Sequence, residues 1–336
     1  MLKVVCLQQV YNSRKWLDVV YPAMVNQTYP VTVVAQIVAD DGGCEEYIRN
    51  NFPQIIIEKP GYNIGFAKGH NVLFDNYPAD LYQLVNPDLV MELDYIEHLV
   101  AVFSNPKVGA ATGKLFQYNL ATKTRTRVID STGVNLAFSG KSWDRGQHEE
   151  DKGQYDSRTI LAAVSGAGAM YRKTALESVR FRRQDGAYEY FDEDFHSYWE
   201  DVDLGLRMRW SGFECVFEPK SIAGHGRSVG SSKKSYFNLF AYTKHHNQIS
   251  LRNRQLNFKN HWYLILKNLP YFKWQLWVRE IMMFGYLVLI EPKVLCVIPE
   301  FLKGIKIMLQ KRKIIFSRRV ISAERFESVL IKNRIL

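Results

Sequence analysis

The chain is poor in paired cysteines, in long apolar runs and, over its last quarter, in acidic residues. Four cysteines (Cys6, Cys44, Cys215 and Cys296) are scattered through 336 residues with no Cys-x-x-Cys pair. They fit neither a disulfide framework nor a zinc site, so a reducing compartment is the expected setting. The best transmembrane candidate covers only residues 281–290 before Glu291-Pro292-Lys293 interrupts it. A span needs about 20 apolar residues, so no crossing is expected. No secretory signal precedes the strand pattern that follows Met1-Leu2-Lys3. Internal repeats and low-complexity tracts are also missing. The remainder has ordinary globular composition, 47% hydrophobic and 23% charged, with length for one large or two moderate domains.

The net charge of +10 is concentrated at one end. Residues 1–254 hold 29 Lys and Arg against 29 Asp and Glu, whereas residues 255–336 hold 15 against 5. In that tail Trp262, Tyr263, Tyr271, Phe272, Trp274 and Trp277 alternate with Lys267, Lys273 and Arg279. Lys303, Lys306, Lys311-Arg312-Lys313 and Arg318-Arg319 follow. One reading is a helical subdomain packed on the rest, with its cations solvated. The other is an interfacial tail whose aromatics dip into lipid headgroups while its cations meet anionic lipid. No nucleic-acid motif accompanies the charge, so nucleic acid is not the expected partner.

Strand and helix patterns alternate upstream. Residues 3–10, 31–39, 54–58 and 81–85 read as strands, and residues 16–24 and 45–51 as helices. A glycine-punctuated loop at 61–69 leads into a further helix ending near Tyr77. This alternation argues an α/β fold with a parallel sheet, in which ligands sit at the carboxyl ends of strands. Asp40-Asp41 and Asn86-Pro87-Asp88 stand at such ends. Residues 115–154 are polar and turn-rich, and 161–164 and 215–218 read as short strands. Residues 222–232 read as a Gly/Ser loop carrying His225. From about Tyr236 the pattern is helical, with breaks expected at Pro270, Pro292 and Pro299.

Each candidate for chemistry has a plain reading beside a functional one. The acids of Trp199-Glu200-Asp201-Val202-Asp203 suit a helix start, and Asp203 and Arg207 have ion-pair spacing. Alternatively, one of these carboxylates faces a cleft as a general base. Asn86-Pro87-Asp88 is a turn, or a device in which Pro87 fixes the aim of Asp88 toward Mg²⁺ or Mn²⁺ on a diphosphate. His225, between Gly224 and Gly226, is a surface residue or a metal ligand beside which glycines admit a bulky partner. Arg227 can meet a phosphate. Asp40 begins a turn or accepts from a nucleobase, and Asn63 and Asn71 cap a helix or frame a nucleotide. Ser165–Met170 matches half of a dinucleotide fingerprint, from which no NAD binding is inferred. Together these residues describe a nucleotide pocket, a diphosphate-bridging metal and a carboxylate base.

Several segments occur in order between residue 4 and about residue 230: Val10-Tyr11-Asn12-Ser13, Asn26-Gln27-Thr28-Tyr29-Pro30, Val38-Ala39-Asp40-Asp41 and the run from Asn63 to Asn71. Asn86-Pro87-Asp88, Val164-Ser165-Gly166-Ala167, the Glu200-Asp201 helix and the His225 loop continue the series. The ordered set resembles an inverting family 2 glycosyltransferase of the GT-A type. Asp130-Ser131-Thr132-Gly133 with Asp144-Arg145-Gly146-Gln147 resembles the loop of its rhamnosyltransferase-like subgroup, which serves bacterial surface-polysaccharide synthesis.

That resemblance implies a Rossmann-like, mostly parallel sheet flanked by helices, with a C-terminal helical extension. It divides the chain into a catalytic domain over 1–235 (a nucleotide-binding half, 1–114, and an acceptor half, 115–235) and a membrane-surface region over 236–336. Asp201 is implied as the catalytic base, and Asp88 and His225 as ligands of Mg²⁺ or Mn²⁺. Asn86 replaces the first acid of the family's D-x-D motif. Asn12, Asp40, Asn63, Gly65, Lys68, Asn71, Asn86 and Arg227 would bind the sugar nucleotide. Trp199, Glu200, Ser165, Gly166, Ala167 and Arg145 would line the acceptor side. The reaction implied is a single displacement, with dTDP-rhamnose as donor or, alternatively, UDP-galactofuranose or a UDP-N-acetylhexosamine. The acceptor would be a lipid-linked or growing surface polysaccharide at the inner face of the cell membrane, with self-association left open. A non-catalytic, membrane-associated assembly factor on the same fold is the alternative from another class.

Overall fold

The apolar runs Val4–Val10 (β1) and Val31–Ile37 (β2) are buried on both faces, as a sheet covered by helices on each side requires. The computed structural model describes residues 1–11, 13–38, 42–183, 185–226 and 249–335. Helix α1 (Arg14–Val25) crosses from β1 to β2, and α2 (Cys44–Asn51) leads to β3 (Ile56–Glu58). Helix α3 (Phe66–Asn76) then leads to β4 (Leu81–Leu84). These four strands are parallel in the order β3-β2-β1-β4. Glycine did not keep residues 66–69 out of the helix: α3 begins directly after Gly65, so the expected loop is four residues shorter.

The next stretch adds β5 (Leu89–Met91), α4 (Tyr95–Val102), β6 (Val108–Asn119) and β7 (Thr124–Ser131). A small hairpin, β8 (Val134–Leu136) with β9 (Ser142–Asp144), precedes β10 (Thr159–Leu161), β11 (Ala169–Arg172) and α5 (Lys173–Val179). Strands β12 (Phe181–Arg182) and β13 (Tyr188–Glu189) form a second hairpin before α6 (Glu200–Trp210) and β14 (Glu214–His225). Strand β11 inserts antiparallel between β4 and β6, and β14 runs parallel to β6. The polar, turn-rich middle thus also contributes the end of β6, β7 and the β8–β9 hairpin, joined by turns. His225 ends a twelve-residue strand instead of sitting in a Gly/Ser loop.

The alternation of β1 splits the core. Val4, Cys6 and Val10 pack with α1 and α4, while Val5 and Leu7 pack with α3, α5 and α6. A third cluster joins α6 to α7 (Leu251–Asn268), α8 (Trp274–Ile290), α9 (Ile298–Ser317) and α10 (Ala323–Glu327). Trp210 of α6 stacks on Phe326 of α10 with centroids 4.2 Å apart. Pro270 and Pro292 lie at helix boundaries as expected, but Pro299 sits in the first turn of α9, where no amide donor is lost.

Several tail cations are turned inward. Buried Lys267 pairs with Asp192 and, at 2.8 Å, with Asp203, which also holds Arg207 at 2.8 Å. Lys311 meets Glu189 and Asp192 at 2.6 Å and Asp194 at 2.9 Å. The Asp203–Arg207 pair is therefore a core element rather than a surface one. Such pairs gain little net stability after desolvation, but they fix how the helices sit on the strand–helix body. Lys303, Lys306, Lys313, Arg318 and Arg319 stay exposed. The expected division at residue 235 falls outside the described residues.

Candidate active site

Beyond β4 the amide of Asn86 donates to the carbonyl of Ala167 at 2.9 Å, and the Leu89 amide donates back to Asn86 at 3.0 Å. That turn, with Pro87 inside it, aims Asp88. Strand β5 then pairs antiparallel with the end of β14, Leu89 opposite His225, and the Gly226 amide donates to the Asp88 carbonyl at 2.9 Å. The result places His225 Nε2 3.2 Å from Asp88 Oδ1. The other ring nitrogen, Nδ1, lies 2.8 Å from Asp130 Oδ2 at the end of β7.

The imidazole therefore bridges two carboxylates, and all three side chains are buried. Burial alone would lower the His225 pKa, but the hydrogen bonds and charges of Asp130 and Asp88 lift it to about 9. Burial opposes ionisation of Asp88, and the His225 contact overcomes it and holds the carboxyl below its usual range. The glycines beside His225 serve packing rather than ligand access. A Cβ on Gly226 would come within 2.1 Å of the Trp16 ring, and one on Gly224 within 2.4 Å of Tyr118.

Asp201 opens α6. Its Oδ2 accepts from the Gly166 amide at 2.8 Å and its Oδ1 from the Val202 amide at 2.8 Å. Burial raises its pKa against the pull of those two donors. Neighbouring Glu200 is buried, and its Oε2 has no partner among the described residues. Burial first, and the Asp201 charge second, push Glu200 up to about 8. With two backbone donors, Asp201 is the better carboxylate of the pair, and Glu200 keeps its proton at neutral pH.

The approach to α6 is strained. His196, Tyr198 and Trp199 adopt φ of +61°, +69° and +74°, at a cost of roughly 1–3 kcal/mol each for non-glycine residues. Helix α7 holds them there. Asn260 Nδ2 donates to the carbonyls of Phe195, Ser197 and Tyr198 at 2.8, 2.9 and 3.0 Å. Asn253 Nδ2 reaches the Tyr198 hydroxyl at 3.0 Å, and Trp199 Nε1 donates to Asn257 Oδ1 at 3.1 Å. Across the cleft Gly65 has φ +83° and sits where a Cβ would lie 2.5 Å from the His196 ring, so only glycine fits.

These groups surround one cleft of about 810 Å³. Of the expected residues, Asn63, Gly65, Asn86, Asp88 and His225 line one part of its wall. Ser165, Gly166, Ala167, Trp199, Glu200 and Asp201 line another. Three expected residues stand elsewhere. Asn71 is consumed in tying α3 to the segment before α6, through Tyr190, Phe191 and Glu193. Lys68 lies on the side of α3 opposite Phe66 and His70, which do face the cleft. Arg145 bonds Thr132 at 3.2 Å and lies over the Tyr155 ring. Asn12, Asp40 and Arg227 lie outside the described residues.

Tyr11, Lys15, Trp16, His196 and Tyr198 line the cleft without having been singled out. Asp130 was also passed over as a site residue, although an acid ending a strand is the signal that marked Asp40 and Asp88. Among the described residues no three His, Cys, Asp or Glu side chains are arranged to hold a metal ion. Asp130 binds the far side of the imidazole, which leaves Asp88 and His225 as two donors. Two protein donors suit Mg²⁺ or Mn²⁺ when phosphate oxygens complete the shell.

Residues 4–252 match the family described as Glycosyltransferase like family 2. An N-acetylglucosaminyltransferase of Bradyrhizobium diazoefficiens is 25% identical over 193 residues, covering 55% of this chain and 37% of that protein. One from Rhizobium sp. (strain N33) is 25% identical over 207 residues, covering 60% and 43%. The chain thus spans about two fifths of the length of these curated relatives. Among solved structures, GalNAc-T7 with UDP, GalNAc and Mn²⁺ aligns with TM-score 0.64 at 10% identity, covering 97% of this chain and 56% of that one. S. aureus TarS 1-349 in complex with UDP-GlcNAc aligns with TM-score 0.51 at 12% identity, covering 97% and 90%. At these identities the likeness is one of fold.

Proposed function

We propose that this chain, which belongs to the Glycosyltransferase like family 2 proteins and is a glycosyltransferase, uses Asp201 as the general base of an inverting sugar transfer. The observation that carries the reading is the fixing of Asp201 Oδ2 by the Gly166 amide at 2.8 Å, on the wall of the cleft that also holds Asp88 and His225. Base and leaving-group ends thus share one cavity.

In the proposed step Asp201 takes the proton of an acceptor hydroxyl as its oxygen attacks the anomeric carbon of the donor. The new C–O bond forms on the face opposite the diphosphate, whose bond to that carbon breaks. One carboxylate suffices because a nucleoside diphosphate is already a good leaving group, unlike the leaving alcohol of a glycosidase. Protonated Glu200 keeps a second negative charge away from the base. Trp199 offers a ring face to the acceptor sugar. Asp88 and His225 would hold Mg²⁺ or Mn²⁺, which when bound neutralises the departing diphosphate. His225 must release its Nε2 proton to serve as a ligand.

For the donor, a UDP-N-acetylhexosamine is favoured by the N-acetylglucosaminyltransferase names of the relatives. The rhamnosyl-type loop supports dTDP-rhamnose less, because it folds on itself: the Thr132 amide donates to Arg145 at 2.9 Å and the Arg145 amide to Gly133 at 2.8 Å. The acceptor is proposed to be a hydroxyl of a lipid-linked or growing polysaccharide. A turnover screen across sugar nucleotides, followed by NMR of the product anomer, tests the reading. Turnover of a UDP-sugar with an inverted product is expected. A product of retained configuration refutes the single displacement, and turnover of dTDP-rhamnose alone refutes the donor assignment.

A further inference from the structure

Helix α8 turns apolar side chains outward along most of its length. Only Leu276, Glu280 and Leu287 are buried, a single stripe of contact with the body. Its two charged residues, Arg279 and Glu280, pair with each other and with His261. The outer surface carries Trp274, Trp277, Ile281, Phe284, Val288 and Leu289; exposure reaches 71% at Ile281 and 80% at Leu289. A soluble surface seldom leaves so much contiguous apolar area uncovered without a partner.

Between α8 and the following segment Pro292–Ser317, which opens with the 3-10 turn Pro292–Val297, the chain bends by 109°. Helix α9 then mixes exposed Leu302, Ile307 and Leu309 with exposed Lys303, Lys306 and Lys313. Among the described residues no single helix is long and apolar enough to cross a membrane, and the bent pair passes that test only when joined. An apolar helix with tryptophans, continued past that bend by a helix of leucine, isoleucine and lysine, has the composition of a surface lying in a headgroup layer. A second copy fits less well. Lysine is depleted from the cores of protein interfaces, and a two-fold contact through α9 would set its lysines against each other.

We propose that α8 and the outer side of α9 form a platform that docks on an anionic lipid bilayer. The apolar face of α8 enters the boundary between headgroups and acyl chains, and Lys303, Lys306 and Lys313 meet lipid phosphates. This inference is independent of the sugar-transfer reading.

The test is co-sedimentation of the whole chain with vesicles of phosphatidylcholine alone and of phosphatidylcholine with 30% phosphatidylglycerol. Three proteins are compared: wild type, Ile281→Glu/Leu289→Glu, and Lys303→Glu/Lys306→Glu/Lys313→Glu. Circular dichroism and hydrolysis of sugar nucleotide in free solution, expected unchanged in all three, verify the fold. Wild type should bind the anionic vesicles, and the double variant should bind at least about tenfold more weakly. The triple variant should lose the preference for phosphatidylglycerol. Failure of wild type to bind anionic vesicles, or equal binding by the double variant, overturns the proposal. So does a dimer of wild type in analytical ultracentrifugation that the double variant splits, since the face would then belong to a second copy.

Discussion

Replacing Asn260 by alanine isolates the brace that α7 applies to the strained entry of α6. The amide of Asn260 serves three carbonyls, those of Phe195, Ser197 and Tyr198. At about 0.5–1.5 kcal/mol net for each of its two N–H groups, the direct loss is about 1–3 kcal/mol. The positive-φ residues His196, Tyr198 and Trp199 then relax and return part of the strain, so the fall in stability should lie near the lower end, about 1–2 kcal/mol. Relaxation also moves Trp199 and the first turn of α6, where Asp201 sits. A displacement of about 1 Å at a reacting group costs on the order of 100-fold in rate. We expect kcat to drop about 30- to 100-fold while KM for the donor changes less than about threefold, since Asp88 and His225 are held by β5 and β14. Thermal denaturation and steady-state nucleotide release measure the two effects. A variant with the expected stability loss but wild-type kcat refutes the reasoning.

Three further outcomes follow from the same geometry. Because Glu200 is raised to about 8 in the folded protein from an ordinary value of 4.5, the native state holds a proton that the unfolded chain releases above pH 4.5. Its stabilisation is therefore complete below that pH and is lost as pH rises through about 8. Glu200→Gln should flatten this fall, and equal slopes for the two proteins in denaturant titrations from pH 5 to pH 8 would contradict it. Asp130→Asn removes the negative partner of His225 Nδ1, so the imidazole pKa should drop below about 9 in NMR titration. Divalent-ion affinity should also weaken about 10- to 100-fold, and unchanged ion affinity would show that Asp130 does not orient the ring toward a metal. Gly65→Ala places a Cβ at φ +83° against the His196 ring, and should destabilise by about 1–3 kcal/mol; a neutral substitution would show that the loop shifts freely.

Where burial and local pattern coincide, the chain could be read directly. Strands β1, β2 and β4 are mostly apolar runs broken only by glutamines and one threonine, and the acids at the ends of strands pointed to Asp88 from the sequence alone. Strand β6 was hidden because its buried run includes Gly113 and Lys114, and that lysine is satisfied by Asp151 at 3.0 Å and by Asp156 at 2.5 Å, supplied from 37 and 42 residues away. The end of β14 was hidden by Gly224 and Gly226, whose missing side chains make room for Tyr118 and Trp16. The bracing role of Asn260 depends on partners more than sixty residues distant, and no local spacing encodes that. Charge counting overstated the free cation of the tail, since Lys267 and Lys311 neutralise acids from the segment before α6. Asn71 and Arg145 were placed at the cleft by motif order, whereas their polar atoms are engaged in packing.

The proton-accepting role proposed for Asp201 is tested most directly by Asp201→Asn, which keeps the shape of the side chain but not its basicity. Donor affinity by calorimetry and rate of transfer to an acceptor are measured on the same protein. The account expects donor binding within about threefold of wild type and transfer slowed by about 10²–10⁴-fold. Transfer within about threefold of wild type would contradict it and remove Asp201 as the base.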